Sequence, residues 1–120
     1  MTGFCEYLPE LFADFGPVAM RRMFGGTGIY HQGTLFAFVM DDVLYLRGDE
    51  RSAEHFLSRG LTRFEYARGG KKILLSYYRA PDEMLDDPSA AVIWARRAFE
   101  SAQRIVAARA SGKKRGRKGD

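Results

Sequence analysis

Gly25, Gly26 and Gly28, with Thr27 between them, are the first residues of this chain whose spacing could do chemistry. Glycine-rich loops hold phosphate when their amides and a following helix N-terminus face the anion. That arrangement needs Gly-x4-Gly-Lys-Ser/Thr, or Gly-x-Gly-x-x-Gly, opening a helix. Here Ile29 and Tyr30 follow, a strand-forming pair, and no lysine stands in register. The cluster reads instead as a bend in a strand, or as a place where another backbone approaches closely. On that reading the bend swings Met23 and Phe24 into the core.

The remaining reactive residues are scattered. His31 and His55 fall on a predicted turn and a predicted helix, with no second ligand at metal spacing. Cys5 lies in an apolar helix without a helper, where a thiol packs as a small hydrophobe. Asp82, Glu83, Asp86 and Asp87 lack the ligand order of a calcium loop and serve better as helix-entry charges. Gly-x-Ser-x-Gly and His-Glu-x-x-His are both missing. The sequence therefore points to no catalytic residue, no metal and no cofactor, and the expectation is a protein that is not an enzyme.

The formal charge of +4 belongs to one place. The last ten residues, SGKKRGRKGD, carry five basic residues and one acidic residue, and residues 1–110 balance. Lys113, Lys114, Arg115, Arg117 and Lys118 could touch DNA or RNA phosphates through counterion release, without reading sequence. The alternative is a solubilising appendage. A tail so polar and glycine-rich is expected to be disordered. The domain is then 1–110, and the tail 111–120. With one cysteine, no long apolar run and no charged, apolar leader, the chain is expected to be a cytoplasmic protein with no membrane contact.

Positions that could form a surface depend on the elements beneath them. Phe4, Leu8, Leu11, Phe12 and Phe15 recur at helical spacing, with residues 8–14 the firm part because Pro9 disfavours an earlier start. One strand over 18–32, bent at the glycines, is followed by strands at 35–40 and 43–48. Gln32-Gly33 and Asp41-Asp42 stand where two-residue hairpin turns belong. Asp49 would cap a helix over 50–59. Strands at 63–67 and 71–79 turn at Gly69-Gly70. Asp87-Pro88 opens a last helix to about residue 110, with Val92, Phe99 and Val106 on one stripe and Ala95 and Ala102 beside them. The order is α-β-β-β-α-β-β-α. The expected fold is α+β and two-layered, with a mostly antiparallel five-stranded sheet and helices on one face.

Hairpin turns fix cross-strand partners, and partners share a face. Tyr30, Leu35, Ala37, Val39, Leu44 and Leu46 fall on an aliphatic face suited to helix packing. Ile29, His31, Phe36, Phe38, Met40, Val43, Tyr45 and Arg47 fall on an aromatic one. If the helices take the aliphatic side, a protein interface over Ile29, Phe36, Phe38, Met40, Tyr45 and Arg47 is left, for a protein partner or a second copy in a homodimer. The alternative is a helix that crosses over and covers it. In the second hairpin Phe64, Tyr66, Ile73, Leu75 and Tyr77 form the better core face.

Arg22-Met23-Phe24-Gly25-Gly26, Gly28-Ile29-Tyr30, Phe36-Ala37, Leu44-Tyr45-Leu46, Phe64-Glu65-Tyr66, Ser76-Tyr77-Tyr78 and Trp94-Ala95 resemble the N-terminal domain of the TfoX/Sxy competence-regulator family. The likeness runs from about residue 18 to 102. It implies a two-layer α/β domain and a regulator of bacterial competence (DNA-uptake) genes, acting as a coactivator beside the cyclic-AMP receptor protein. It carries over no catalytic residue. The full-length regulators have a second domain, so this chain is expected to be a stand-alone member. The function expected is regulatory protein interaction in transcription. The alternatives are weak nucleic-acid binding by the tail and a small-ligand sensor with a pocket between sheet and helices.

Overall fold

A computed structural model describes the backbone of residues 2–23 and 25–119, and side chains there except at residues 2–3, 66, 68, 72–74 and 111–119. Helix α1 (Thr2–Leu11) leads into strands β1 (Ala19–Met23), β2 (Gly26–His31), β3 (Thr34–Met40) and β4 (Val43–Arg47). Helix α2 (Ala53–Leu57), strands β5 (Arg63–Arg68) and β6 (Lys71–Arg79), a 3-10 turn (Asp82–Met84) and helix α3 (Pro88–Gly119) follow. The last helix was expected to run to about residue 110, and the backbone of residues 111–119 continues α3; the side chains there, and residue 120, lie outside the described residues.

The strands form a six-stranded sheet in the order β1-β2-β3-β4-β6-β5, each neighbour antiparallel. Six strands replace the expected five. Met23 pairs with Gly26, so the chain reverses in a two-residue turn where a single bent strand was expected. Gly25, at φ +80°, takes the left-handed conformation that such a reversal requires. The three expected turns form. Gln32 and Gly33, Asp41 and Asp42, and Gly69 and Gly70 all have positive φ, the signature of a type I′ turn.

The main core lies between the sheet and the helices. Leu8, Leu11 and Phe12 from the α1 end meet Ile29, Phe36, Ala37, Val39, Leu44 and Leu46. Helix α3 lies close because Ala91, Ala95, Ala98 and Ala102 are all buried along one stripe. Each fully buried large side chain there stabilises the fold by roughly 1.5–3 kcal/mol. The stripe stops at Ala102, and Val106, expected to be buried on the adjoining row with Val92 and Phe99, is 56% exposed, because α3 has by then run past the sheet. Pro9 sits inside α1, which starts earlier than expected.

Helix α2 is shorter than expected and begins after Ser52, not Asp49. Residues 49–52 make a turn, and Asp49 has another task. Its carboxylate accepts from Arg104 Nε at 2.7 Å and from Arg104 Nη2 at 3.0 Å. The buried Ser52 and Ser101 hydroxyls lie 2.7 Å apart beside it. The Arg104 guanidinium holds the Asp49 carboxyl down, against the opposing effect of burial, at a pKa of about 2. This network ties α3 to the β4–α2 connection. Asp87 does cap α3, accepting from Ser89 N at 3.0 Å ahead of Pro88.

A helix-free aromatic face as candidate functional site

Strand alternation sends Phe38, Tyr45, Phe64 and Tyr77 away from the helices. Phe38 stacks on Tyr45 at 5.2 Å between ring centroids and meets Phe64 at 5.0 Å and Tyr77 at 4.8 Å, both edge to face. Tyr45 meets Phe64 at 4.9 Å. The four rings come from β3, β4, β5 and β6, so a single cluster bridges both hairpins. Phe38 and Tyr77 are each 5% exposed, yet neither belongs to the core that the helices close. Their cover comes from neighbouring side chains of the same sheet face.

Arginines stand over this layer. The Arg47 guanidinium stands 4.7 Å from the Tyr77 ring centroid, and Arg21 stands 5.6 Å from that of Tyr30. Arg47 Nε is buried and has no hydrogen-bond partner among the described residues. Burial pushes the Tyr77 phenol above its ordinary pKa, against the pull of Arg47. Around the rings, Leu35, Met40 and Val43 are partly buried, and Leu75 is 37% exposed. Exposed Arg79 pairs in register with Tyr45. At the β1–β2 end a depression of about 470 Å³ is lined by Pro17, Ala19, Arg21, Tyr30, Gln32 and others.

Of the residues expected at the interface, Phe38, Met40, Tyr45 and Arg47 lie on this face. Ile29 and Phe36 do not, and that expectation is corrected. Ile29 pairs with Ala37 while Tyr30 pairs with Leu35, so Phe36 is an extra residue in β3, a bulge. The bulge turns Phe36 to the helix side, where its ring meets Phe12 at 5.7 Å and Phe15 at 5.4 Å. It also carries Ile29 and His31 inward. Ile29 and Phe36 are fully buried. His31 is 8% exposed, with Nδ1 at 2.7 Å from the Pro17 carbonyl oxygen and Phe15 and Phe99 against its ring.

The motif residues have structural tasks. Gly28 leaves room for outward side chains, since a Cβ there would lie 2.5 Å from Met23 Sδ and 3.0 Å from Leu35 Cδ1. Arg22 is exposed and pairs with Thr27 on the helix side of the sheet. Met23, expected in the core, lies outward beside Gly28, and Phe24 lies outside the described residues, as does its expected core position. Trp94 is 3% exposed, beneath Arg59 and Arg97 and beside Phe56. Between α1 and the sheet end, an open depression of about 740 Å³ touches Cys5, Arg22, Gly26, Thr27 and Asp41. Cys5 Sγ stands 3.9 Å from Thr27 Oγ1 there.

The sequence reading missed Phe64 and Tyr77 as members of the outer face and placed them in the core. They face outward because β6 docks on β4 with Leu46 opposite Tyr78. Tyr78 is therefore the inward tyrosine, stacked on Phe56 at 4.6 Å. Tyr66 and Ile73, expected on the same face, have side chains outside the described residues. The signal that would have found this is the Ser76-Tyr77-Tyr78 run, where either tyrosine could face in until the neighbour of β6 is known.

The family model of the TfoX N-terminal domain matches residues 10–102. Over 75 residues the chain is 32% identical to Protein Sxy of Escherichia coli (strain K12), covering 62% of this chain and 36% of that protein. Over 102 residues it is 26% identical to DNA transformation protein TfoX1 of Aliivibrio fischeri (strain ATCC 700601 / ES114), covering 82% of this chain and 49% of that one. The chain thus spans half or less of the length of these relatives.

Proposed function

Because the chain belongs to the TfoX N-terminal domain family, we propose that it is a cytoplasmic, non-catalytic regulatory domain. It serves transcriptional control of DNA uptake by docking the helix-free face on a protein. The name of one relative, a DNA transformation protein, supports the process. The observation that carries the docking is the aromatic layer of Phe38, Tyr45, Phe64 and Tyr77, which lies on the side of the sheet opposite the helix-packed core formed by the described residues. Contiguous apolar surface rimmed by arginine is the usual composition of an association surface. No helix among the described residues is long and apolar enough to cross a membrane.

The test replaces Leu35 and Leu75 by Ser in the native bacterium. Both side chains lie on the face and outside the helix-side core. The variant should melt within a few degrees of the parent, yet lower transformation frequency and uptake-gene transcripts about tenfold or more. Parental transformation by a stable variant would refute docking through this face.

A second reading attaches to the five basic residues of the tail, which hold the whole formal charge. They would add sequence-independent affinity for nucleic acid. Deleting residues 111–120 should then weaken DNA binding and flatten its salt dependence. Unchanged binding would refute that reading.

A further inference from the structure

We propose that the helix-free face docks an acidic protein segment, one whose carboxylates flank apolar side chains. This rests on the docking reading above and adds the partner's chemistry.

Charge on the face is one-sided. Outside β5, the outward strand positions with described side chains carry Arg21, Arg47, Lys71 and Arg79 and no acidic residue. Asp41 and Asp42 occupy the β3–β4 turn, beyond the strands. Asp49 is taken by Arg104. From α3, Arg109 adds positive field at the Tyr77 phenol. Residues 1–110 are balanced overall, so a basic face is a local excess and not a reflection of the whole chain.

Two other occupants fit less well. A second copy docked face to face would set arginines against arginines, and such juxtaposition disfavours association. Single-stranded nucleic acid needs open ring faces for base stacking. Here Phe38 stacks on Tyr45 and meets Phe64 and Tyr77 edge to face, Phe38 and Tyr77 are 5% exposed, and Arg47 and Arg21 already lie over Tyr77 and Tyr30. What stays open to a partner is mixed: Leu35, Met40, Val43 and Leu75, with the partly buried edges of Tyr45 and Phe64. Apolar side chains suit those positions, and carboxylates suit the guanidinium groups at the rim. The depression beside Arg21 and Tyr30 offers both in one place, an apolar wall and a cation.

The experiment titrates the isotope-labelled full chain, by amide chemical shift, with a soluble peptide in which glutamates flank leucines. Its lysine counterpart and a single-stranded oligothymidylate serve as the comparison probes. The acidic peptide should shift amides at Leu35, Met40, Tyr45 and Leu75. It should bind about tenfold or more tightly than the lysine peptide and weaken as salt rises. The double variant Arg21→Glu with Arg79→Glu, both sites being exposed, should melt like the parent and lose that preference. Arg21→Lys with Arg79→Lys should keep it. The proposal is overturned if the lysine peptide binds as well, if the oligonucleotide moves the same amides more strongly, if the chain dimerises through them, or if nothing moves them. In cells, loss of transformation in Leu35→Ser with Leu75→Ser alongside a normal Arg21→Glu with Arg79→Glu strain would sink the acidic partner and leave docking standing. Normal transformation in both would sink docking itself.

Discussion

A methyl group added at Gly26 would run into the carbonyl oxygen of Val39, on the backbone of the neighbouring strand. A backbone atom in a sheet cannot step aside. Gly25 differs, since an added Cβ there meets open space, but its φ of +80° strains any other residue. Gly26→Ala is therefore expected to cost about 3 kcal/mol, and Gly25→Ala about 1 kcal/mol, in denaturant unfolding. Equal costs would contradict the close approach. The sequence reading located the glycines and excluded phosphate, but it could not separate bend, bulge and reversal. All three need glycine, and only the pairing of Met23 with Gly26 distinguishes them. Asp49 shows a similar limit. Its position before a helix suggested a cap, whereas its partner, Arg104, is 55 residues away. With the native carboxyl held near a pKa of 2 against 3.8 ordinarily, the pair should contribute about 2 kcal/mol. A lowered native pKa means that this stability is present above about pH 4 and is lost as pH falls toward 2. Asp49→Asn should remove it at pH 7 and flatten the acid limb of the stability curve. An unchanged acid limb would count against the ion pair.

At the scale of elements, local chemistry was legible and register was legible up to the first irregularity. The turns at Gln32-Gly33 and Asp41-Asp42 announce themselves by residue type, and the β3–β4 pairs from Met40–Val43 to Ala37–Leu46 follow from the second turn, while the next expected pair, Phe36 with Arg47, is lost at the bulge. The expected placement of Ile29 and Phe36 on the aromatic face failed because the bulge inserts one residue after the Tyr30–Leu35 pair. One extra residue exchanges the faces of all that follows on that side, which is why Ile29, His31 and Phe36 moved to the helix side while Tyr30 and Leu35, expected there, moved outward. No composition signal marks the bulge, since Leu35-Phe36-Ala37 is apolar throughout. Phe36 also shows what each side requires. On the helix side it fills space between Phe12, Phe15 and Phe99, so Phe36→Ser should cost about 3–5 kcal/mol. Loss of under 1 kcal/mol by chemical denaturation would place it back on the outer face.

For the whole molecule, the two-layer architecture was legible because three tight turns and two amphipathic helices leave few alternatives. The strand order was not. Placing β6 against β4 is a long-range choice, and it decides that Phe64 and Tyr77 join Phe38 and Tyr45 outside. The β5–β6 hairpin holds to the rest of the sheet through three register pairs, Tyr45–Arg79, Leu46–Tyr78 and Arg47–Tyr77, all at its base. Beyond that base its amides depend on its own ladder. Deuterium uptake should therefore be two-tiered, with β3 and β4 exchanging only on global unfolding and the Gly69-Gly70 end of the hairpin exchanging through a cheaper sub-global opening. A ligand that bridges Tyr45 and Leu75 would clamp the hairpin and slow that faster tier.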